Sequence, residues 1–310
     1  MKNFLAFTLL VLLMMAQHCH GQDYIFRVLA NEGTNKVRKA GSSSVIPLKT
    51  GSKLVYGDEI LAAKGAYIGL VHRTGKTLEL RTPGTHNIRD LEGKVTKGTA
   101  IVASKYMNFV MDKINERGRV INANDHRRNL NTTGVLERTT GSVAIKMMIK
   151  EIRNANQVYG DRITVRWEGI QGTSAYLITV KNVFNQVLLI GETSSTKVSL
   201  DLTTEKLAKE RFIIVSVQSR DDEEFKSRDF GIQRILPAQA PEFTSQLILL
   251  KNELQEESSL NKVILAYFFE EHNLYLDALT LYEDAVNLSP EVKDYKTIYE
   301  EFVLINGLRN

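Results

Sequence analysis

The sequence has one cysteine, one tryptophan and only five prolines in 310 residues. A lone thiol, Cys19, excludes an intramolecular disulfide framework and any site built from several thiolates. Beyond the first residues, no apolar run approaches the roughly 20 residues needed to cross a bilayer. Catalytic signatures are missing too. There is no Gly-x-Ser-x-Gly motif, and His72, His86, His126 and His272 fall in separate segments without metal-ligand spacing. Catalysis needs a nucleophile activated by a neighbour, paired carboxylates in a cleft, or a metal. The chain therefore reads as non-enzymatic, with no catalytic residue, no cofactor and no metal site. What is present is ordinary: 43% hydrophobic and 25% charged residues exclude a wholly disordered or collagen-like chain. The length suits two or three domains.

Lys2 precedes an apolar run over residues 4–16, interrupted only by Thr8, and polar residues follow from Gln17. The run is too short for a comfortable span and has the form of a secretory signal over residues 1–21. Cleavage after Gly21 leaves a mature chain from Gln22 without cysteine. The alternatives are a retained anchor and a lipoprotein modified at Cys19, but His18 departs from the small residue that lipidation requires. The expected product is exported, periplasmic or outer-membrane-associated, with no membrane span once the signal is removed.

Charge separates along the chain. Residues 22–140 carry 20 Lys and Arg against 11 Asp and Glu, residues 141–240 carry 14 against 12, and residues 241–310 carry 5 against 13. Such asymmetry fits a polyanionic partner or an acidic docking surface, and equally two ends that attract each other. The charge is scattered and no nucleic-acid module is visible, so nucleic acid is not expected.

Residues 22–97 read as a small β domain. Runs at 24–30, 45–48, 54–56, 59–62, 67–71 and 77–80 alternate with glycine-containing turns. Val37-Arg38-Lys39-Ala40-Gly41, Pro47-Leu48-Lys49-Thr50-Gly51, Gly57-Asp58-Glu59-Ile60 and Leu78-Glu79-Leu80 resemble the FecR-like domain of bacterial envelope proteins. That resemblance implies a β module used in periplasmic signalling or as an accessory, with no catalytic residue. Gly75-Lys76-Thr77 is not a phosphate-binding loop: the position that requires the first glycine holds Leu70, and the tripeptide leads into a strand. It reads as a hairpin turn.

Residues 98–155 read as a helix and a polar linker. Val102, Tyr106, Phe109, Val110 and Lys113 recur at helical spacing. After Arg119 the pattern is lost, and His126-Arg127-Arg128 reads as solvated linker. Asn131-Thr132-Thr133 fits a glycosylation sequon, which the bacterial resemblances make irrelevant.

Residues 156–237 carry strand candidates at 163–167, 175–180, 186–190, 197–202, 211–219 and 230–235, with Trp167 ending the first. Alternating strands around one large side chain are the makings of an immunoglobulin-like sandwich. Trp167, Tyr176 and the run Phe212-Ile213-Ile214-Val215-Ser216-Val217 resemble a fibronectin type III domain in their order. Trp167 is expected in the core, and Asp221, Asp222, Glu223 and Glu224 in a solvated loop without calcium-loop spacing.

Residues 243–310 turn helical. Leu265, Ala266, Phe269, Ala278, Tyr282, Ala285 and Pro290 resemble one tetratricopeptide repeat, although Lys262 stands where that family has an aromatic. A single repeat buries its own apolar surface poorly. Neighbouring helices, another domain, a second copy or another protein must cover it. Phe269, Tyr275, Tyr282, Tyr295, Tyr299 and Phe302 are the residues expected to meet a partner.

The expected architecture is thus multidomain and mainly β, a FecR-like domain plus an immunoglobulin- or fibronectin-like sandwich, followed by an all-α C-terminal helical hairpin domain. The combination looks like exported proteins of Bacteroidetes-type bacteria. The expected function is an envelope adaptor or scaffold that binds a protein partner through its acidic hairpin, with self-association as a further option. The alternatives are a cell-wall glycan or polyanion binder using the basic N-terminal domain, and a periplasmic signalling accessory.

Overall fold

The computed structural model describes residues 24–95, 97–116, 145–147, 156–254 and 257–306. The segment 1–21 with Cys19, and the polar stretch holding His126, Arg127, Arg128 and Asn131, lie outside the described residues. A β region is followed by a C-terminal region of several helices, in the order that the periodicities predict.

The first β unit has eight strands: β1 (Phe26–Glu32), β2 (Lys36–Arg38), β3 (Val45–Pro47), β4 (Lys53–Leu54), β5 (Glu59–Ala62), β6 (Tyr67–His72), β7 (Thr77–Leu80) and β8 (Gly84–Asn87). They form two antiparallel sheets, ordered β4-β1-β6-β7 and β3-β2-β5-β8. Ile25, Phe26, Val28, Val37, Leu54, Ile60, Ile68 and Leu70 make one apolar core. The predicted strands at 59–62 and 77–80 are found as β5 and β7; β2 and β8 escape sequence reading because KVR and GTHN are short and hold one apolar residue between them. Asn87 then caps the short helix α1 (Ile88–Glu92), its Oδ1 accepting the Arg89 amide at 2.9 Å.

Every residue of β6 is buried. Ile68 and Leu70 belong to the first core, whereas Tyr67 and Val71 join a second core shared with the helices. A strand covered on both faces reads as a continuous apolar run, and YIGLV is one. The turn from β6 into β7 holds Gly75 at φ +82°, as expected for the hairpin. A Cβ at Gly75 would lie 2.0 Å from Ser104 Oγ and 2.4 Å from the Ala100 carbonyl oxygen.

The second β unit comprises β9 (Gln157–Val158), β10 (Arg162–Arg166), β11 (Tyr176–Asn182), β12 (Val187–Thr193), β13 (Lys197–Asp201), β14 (Phe212–Ser219) and β15 (Phe230–Arg234). A five-stranded sheet runs β12-β11-β14-β15-β9, and β10 pairs with β13 separately. Burial alternates along β11 and β14, so Ile178, Val180, Val215 and Val217 point inward with Ile163, Val165 and Trp167. Trp167 is buried, its ring edge-on to Tyr176 at 5.4 Å. A short helix, α3 (Glu205–Ala208), sits between β13 and β14.

The remaining helices are α2 (Ile101–Glu116), α4 (Pro241–Leu254), α5 (Ser259–Glu271), α6 (Tyr275–Leu288) and α7 (Lys293–Ile305). Helix α2, expected as a helix in the segment connecting the two β units, packs on α4 and α5 as part of the helical layer. Its buried stripe is Ala103, Tyr106, Met107, Val110 and Met111, and the Tyr106 ring meets Phe268 edge-on at 5.2 Å. Helices α5 and α6 form the predicted hairpin. Asn273 makes the turn at φ +60°, and Ala266 and Ala278 are fully buried, which lets the two helices approach closely.

Candidate functional site

Of the six aromatics expected to meet a partner, Phe269, Tyr282, Tyr295 and Phe302 are buried within the chain, and Tyr275 and Tyr299 are half-buried. Phe269 packs edge-on against Phe243 of α4 at 5.7 Å, and Tyr282 lies 4.9 Å from Phe302 of α7. Tyr295 meets Tyr67 of β6 at 5.7 Å, and Tyr299 has the Arg166 guanidinium over its ring. The apolar cover that a single hairpin lacks thus comes from neighbouring helices and from the two β units.

The first of these helix-to-sheet interfaces is polar at its centre. Tyr67 Oη donates to Glu79 Oε1 at 2.6 Å and lies 2.7 Å from Tyr295 Oη. With the Tyr67 proton committed to Glu79, Tyr295 is the donor between the two phenols. Burial raises the pKa of both hydroxyls, so both stay protonated. Glu79 Oε1 also accepts the Leu260 amide at 3.0 Å, while Thr77 Oγ1 donates to Asn261 and Lys76 Nζ to the Glu253 carbonyl.

The second interface lays α6 along β10 and the β9–β10 turn. Asp277, Thr280 and Asp284 sit at i, i+3 and i+7, one helical face. Asp277 accepts the amides of Tyr159 at 3.0 Å and Gly160 at 2.6 Å. Thr280 Oγ1 accepts the Thr164 amide at 2.7 Å and donates to the Leu276 carbonyl. Burial pushes the Asp277 carboxyl up to about 7, against the two amides and Lys251, which favour its charged form. Gly160 is required by this approach, since a Cβ there would stand 2.5 Å from Asp277 Oδ1.

Across these two interfaces, and between α2 and α5, the acidic C-terminal part pairs with the basic parts before it. Arg81 meets Glu291 at 2.9 Å, Lys113 meets Glu270 at 3.1 Å and Lys105 meets Glu271 at 3.5 Å. Arg162 pairs with Asp284, and both Arg166 and Lys197 pair with Glu283. Of the readings that charge separation allows, mutual attraction within the chain is the one these pairs display.

One titratable cluster lies apart from the C-terminal helices, between the β6–β7 turn and α1. His72 Nδ1 is 2.7 Å from Thr74 Oγ1 and Nε2 is 3.3 Å from Glu92 Oε1, while Tyr56 donates to Glu92. Burial lowers the His72 pKa, and the Tyr56 hydrogen bond lowers that of Glu92. Thr74 belongs to the β6–β7 turn and its amide also points at Nδ1, so His72 and Glu92 fasten that turn to α1. In the 221–224 loop, Asp221 accepts the amide and hydroxyl of Ser174. Among the described residues no group of His, Cys, Asp and Glu gathers ligands for a metal, and no helix is long and apolar enough to cross a membrane.

The uncovered surface is elsewhere. An outer strand exposes unpaired amides and carbonyls unless something covers or interrupts it. Here β10 is covered through Thr280, the β9 end through Asp277, and β7 by α5. The β4 edge has two residues, the β3 edge has three and ends at Pro47, the β8 edge has four, and the β13 edge has five and begins at Lys197. The β12 edge has seven and neither lysine nor proline. Residues 182–191 contain no charged side chain at all. Around this edge Phe184 is 79% exposed, Ile190 68%, Val183 56%, Val187 50% and Phe212 43%. The sequence reading found the strand but not its position at the edge; the long neutral stretch was the available signal.

No protein-family model matches the chain, and no curated protein matches it.

Proposed function

We propose that this protein is a non-enzymatic scaffold of the bacterial cell envelope that engages a protein partner at the β11–β12 end of its five-stranded sheet. The observation that carries this reading is the long, uncovered β12 edge, uncharged from Val187 to Gly191, beside exposed Val183, Phe184, Val187, Ile190 and Phe212. Exposed apolar side chains gathered beside an open strand edge are the usual form of a protein-binding surface. The C-terminal hairpin then serves within the molecule, holding two β units at a fixed separation. The resemblances of these units to FecR-like and fibronectin type III domains, and of the hairpin to a tetratricopeptide repeat, support an envelope role, as does the signal-like pattern of residues 1–21. The acids and bases of the two interfaces and of the His72 turn hold structural elements to one another, which supports a role without catalysis.

The test is capture from detergent-solubilised envelope by the wild-type chain and by a Val187→Lys, Ile190→Lys double variant, at low and high salt. A single partner held at both salts, lost on the double variant and rebound from purified components supports the reading. Recovery of wall glycan or another polyanion by both proteins, abolished by salt, overturns it in favour of the basic N-terminal unit.

A further inference from the structure

We infer that the partner at this edge is a second copy of the chain, docked through antiparallel pairing of β12 with its own counterpart about a two-fold axis. The inference rests on the proposed interface and names its occupant. Across a two-fold, each strand residue meets itself or a near neighbour, so a charged edge repels its own copy. Residues 182–191 have no charge to repel. Glu192, the one charged residue of β12, already pairs with Arg220 of its own chain, and Lys181 stands at the other end on the neighbouring β11, so antiparallel pairing brings the Lys181 end of one copy alongside the Arg220–Glu192 pair of the other.

The register follows from the pleat. Ile190 is paired with Thr179 and turns to the outer face, whereas Leu189 and Gly191, paired with Val180 and Ile178, share the inward face. Keeping inner opposite inner and outer opposite outer allows alternate registers, and the one centred on Ile190 sets Ile190 against Ile190 of the second copy while keeping Glu192 away from its own counterpart. Leu189 then faces Gly191, which leaves the larger side chain room. Each copy contributes its five strands to one continuous sheet. The exposed apolar side chains near the edge offer on the order of 500 Å² per copy, less than the roughly 800 Å² per partner of a standard stable complex. A reversible dimer in the micromolar range is therefore expected.

Sedimentation velocity on the purified protein from 1 to about 100 μM tests this directly. The expected result is a concentration-dependent monomer–dimer equilibrium that Ile190→Lys weakens at least tenfold, with an unchanged thermal midpoint because the residue is exposed. In a Cys19→Ser background, Ile190→Cys is expected to give an oxidised dimer, since directly opposed Cβ atoms lie within disulfide reach. Lys206→Cys, exposed on α3, is expected not to do so. A monomer at every concentration overturns the second-copy inference, as does a dimer indifferent to Ile190→Lys without a cross-link at 190. If the monomeric protein still captures an envelope partner that Ile190→Lys releases, the interface reading stands alone. If neither property responds, both fall.

Discussion

Asp277 is a fully buried carboxyl facing two backbone amides, with Lys251 the cation that favours its charge. Its carboxyl titrates near 7 in the folded chain against 3.8 when unperturbed, so folding takes up a proton between those values. The resulting stabilisation is full below about pH 4 and is lost as pH rises through 7. Asp277→Asn cannot titrate, and its NH₂ group opposes one of the two amides. Denaturant titrations should show the variant less stable than wild type at pH 4, with the gap narrowing by up to about 4 kcal/mol by pH 8. A gap that is flat across this range would refute the assignment. Gly75 is the second decisive residue. Alanine there meets both a left-handed backbone and the contacts at 2.0 and 2.4 Å, so Gly75→Ala should cost at least about 2 kcal/mol in the same assay.

Between elements, the polar contacts are asymmetric, and that asymmetry can be measured. Tyr67 donates to Glu79 and receives from Tyr295. Tyr67→Phe therefore leaves the buried Tyr295 hydroxyl without its acceptor, whereas Tyr295→Phe leaves the Tyr67–Glu79 bond intact. Chemical denaturation should show the first substitution costing about 1–3 kcal/mol and the second closer to 1. At the other interface, Thr280→Val removes the acceptor for the Thr164 amide at the β10 edge. Its expected cost is again about 1–3 kcal/mol, with faster hydrogen exchange at Thr164 as the local readout. The helices themselves were readable from spacing, because Ala266 and Ala278 at the crossing and Pro290 after α6 are local signals. The membership of α2 in the helical layer was not, because the buried stripe from Ala103 to Met111 says that something covers it without saying what.

At the scale of the molecule, one apolar core runs from Tyr67 and Val71 of the first β unit through the helices to Val158 and Val165 of the second. Removing residues 241–310 would uncover both β units at once. A chain ending at Ala240 should aggregate or lose stability in both units, and the full chain should unfold in one cooperative calorimetric transition. Two well-separated transitions would show that the hairpin does not couple the units. The ion pairs across the interfaces are partly exposed, so salt should lower the midpoint only slightly beside the loss of apolar cover.

The order β, β, α, the strands around Trp167, the hairpin turn at Gly75 and the pair of helices with small residues at their crossing were all determined by local sequence. Alternation of period two, helical spacing, and turn or cap residues act over a few positions and need no distant partner. Tertiary structure alone decided that the hairpin aromatics are covered by this same chain, that Asp277 is buried, and that β12 is an open edge. Those outcomes depend on which surfaces meet across more than a hundred residues of sequence, as between Gly160 and Asp277 or Tyr67 and Tyr295. An apolar stripe records that burial is favourable, and only the assembled chain specifies what buries it.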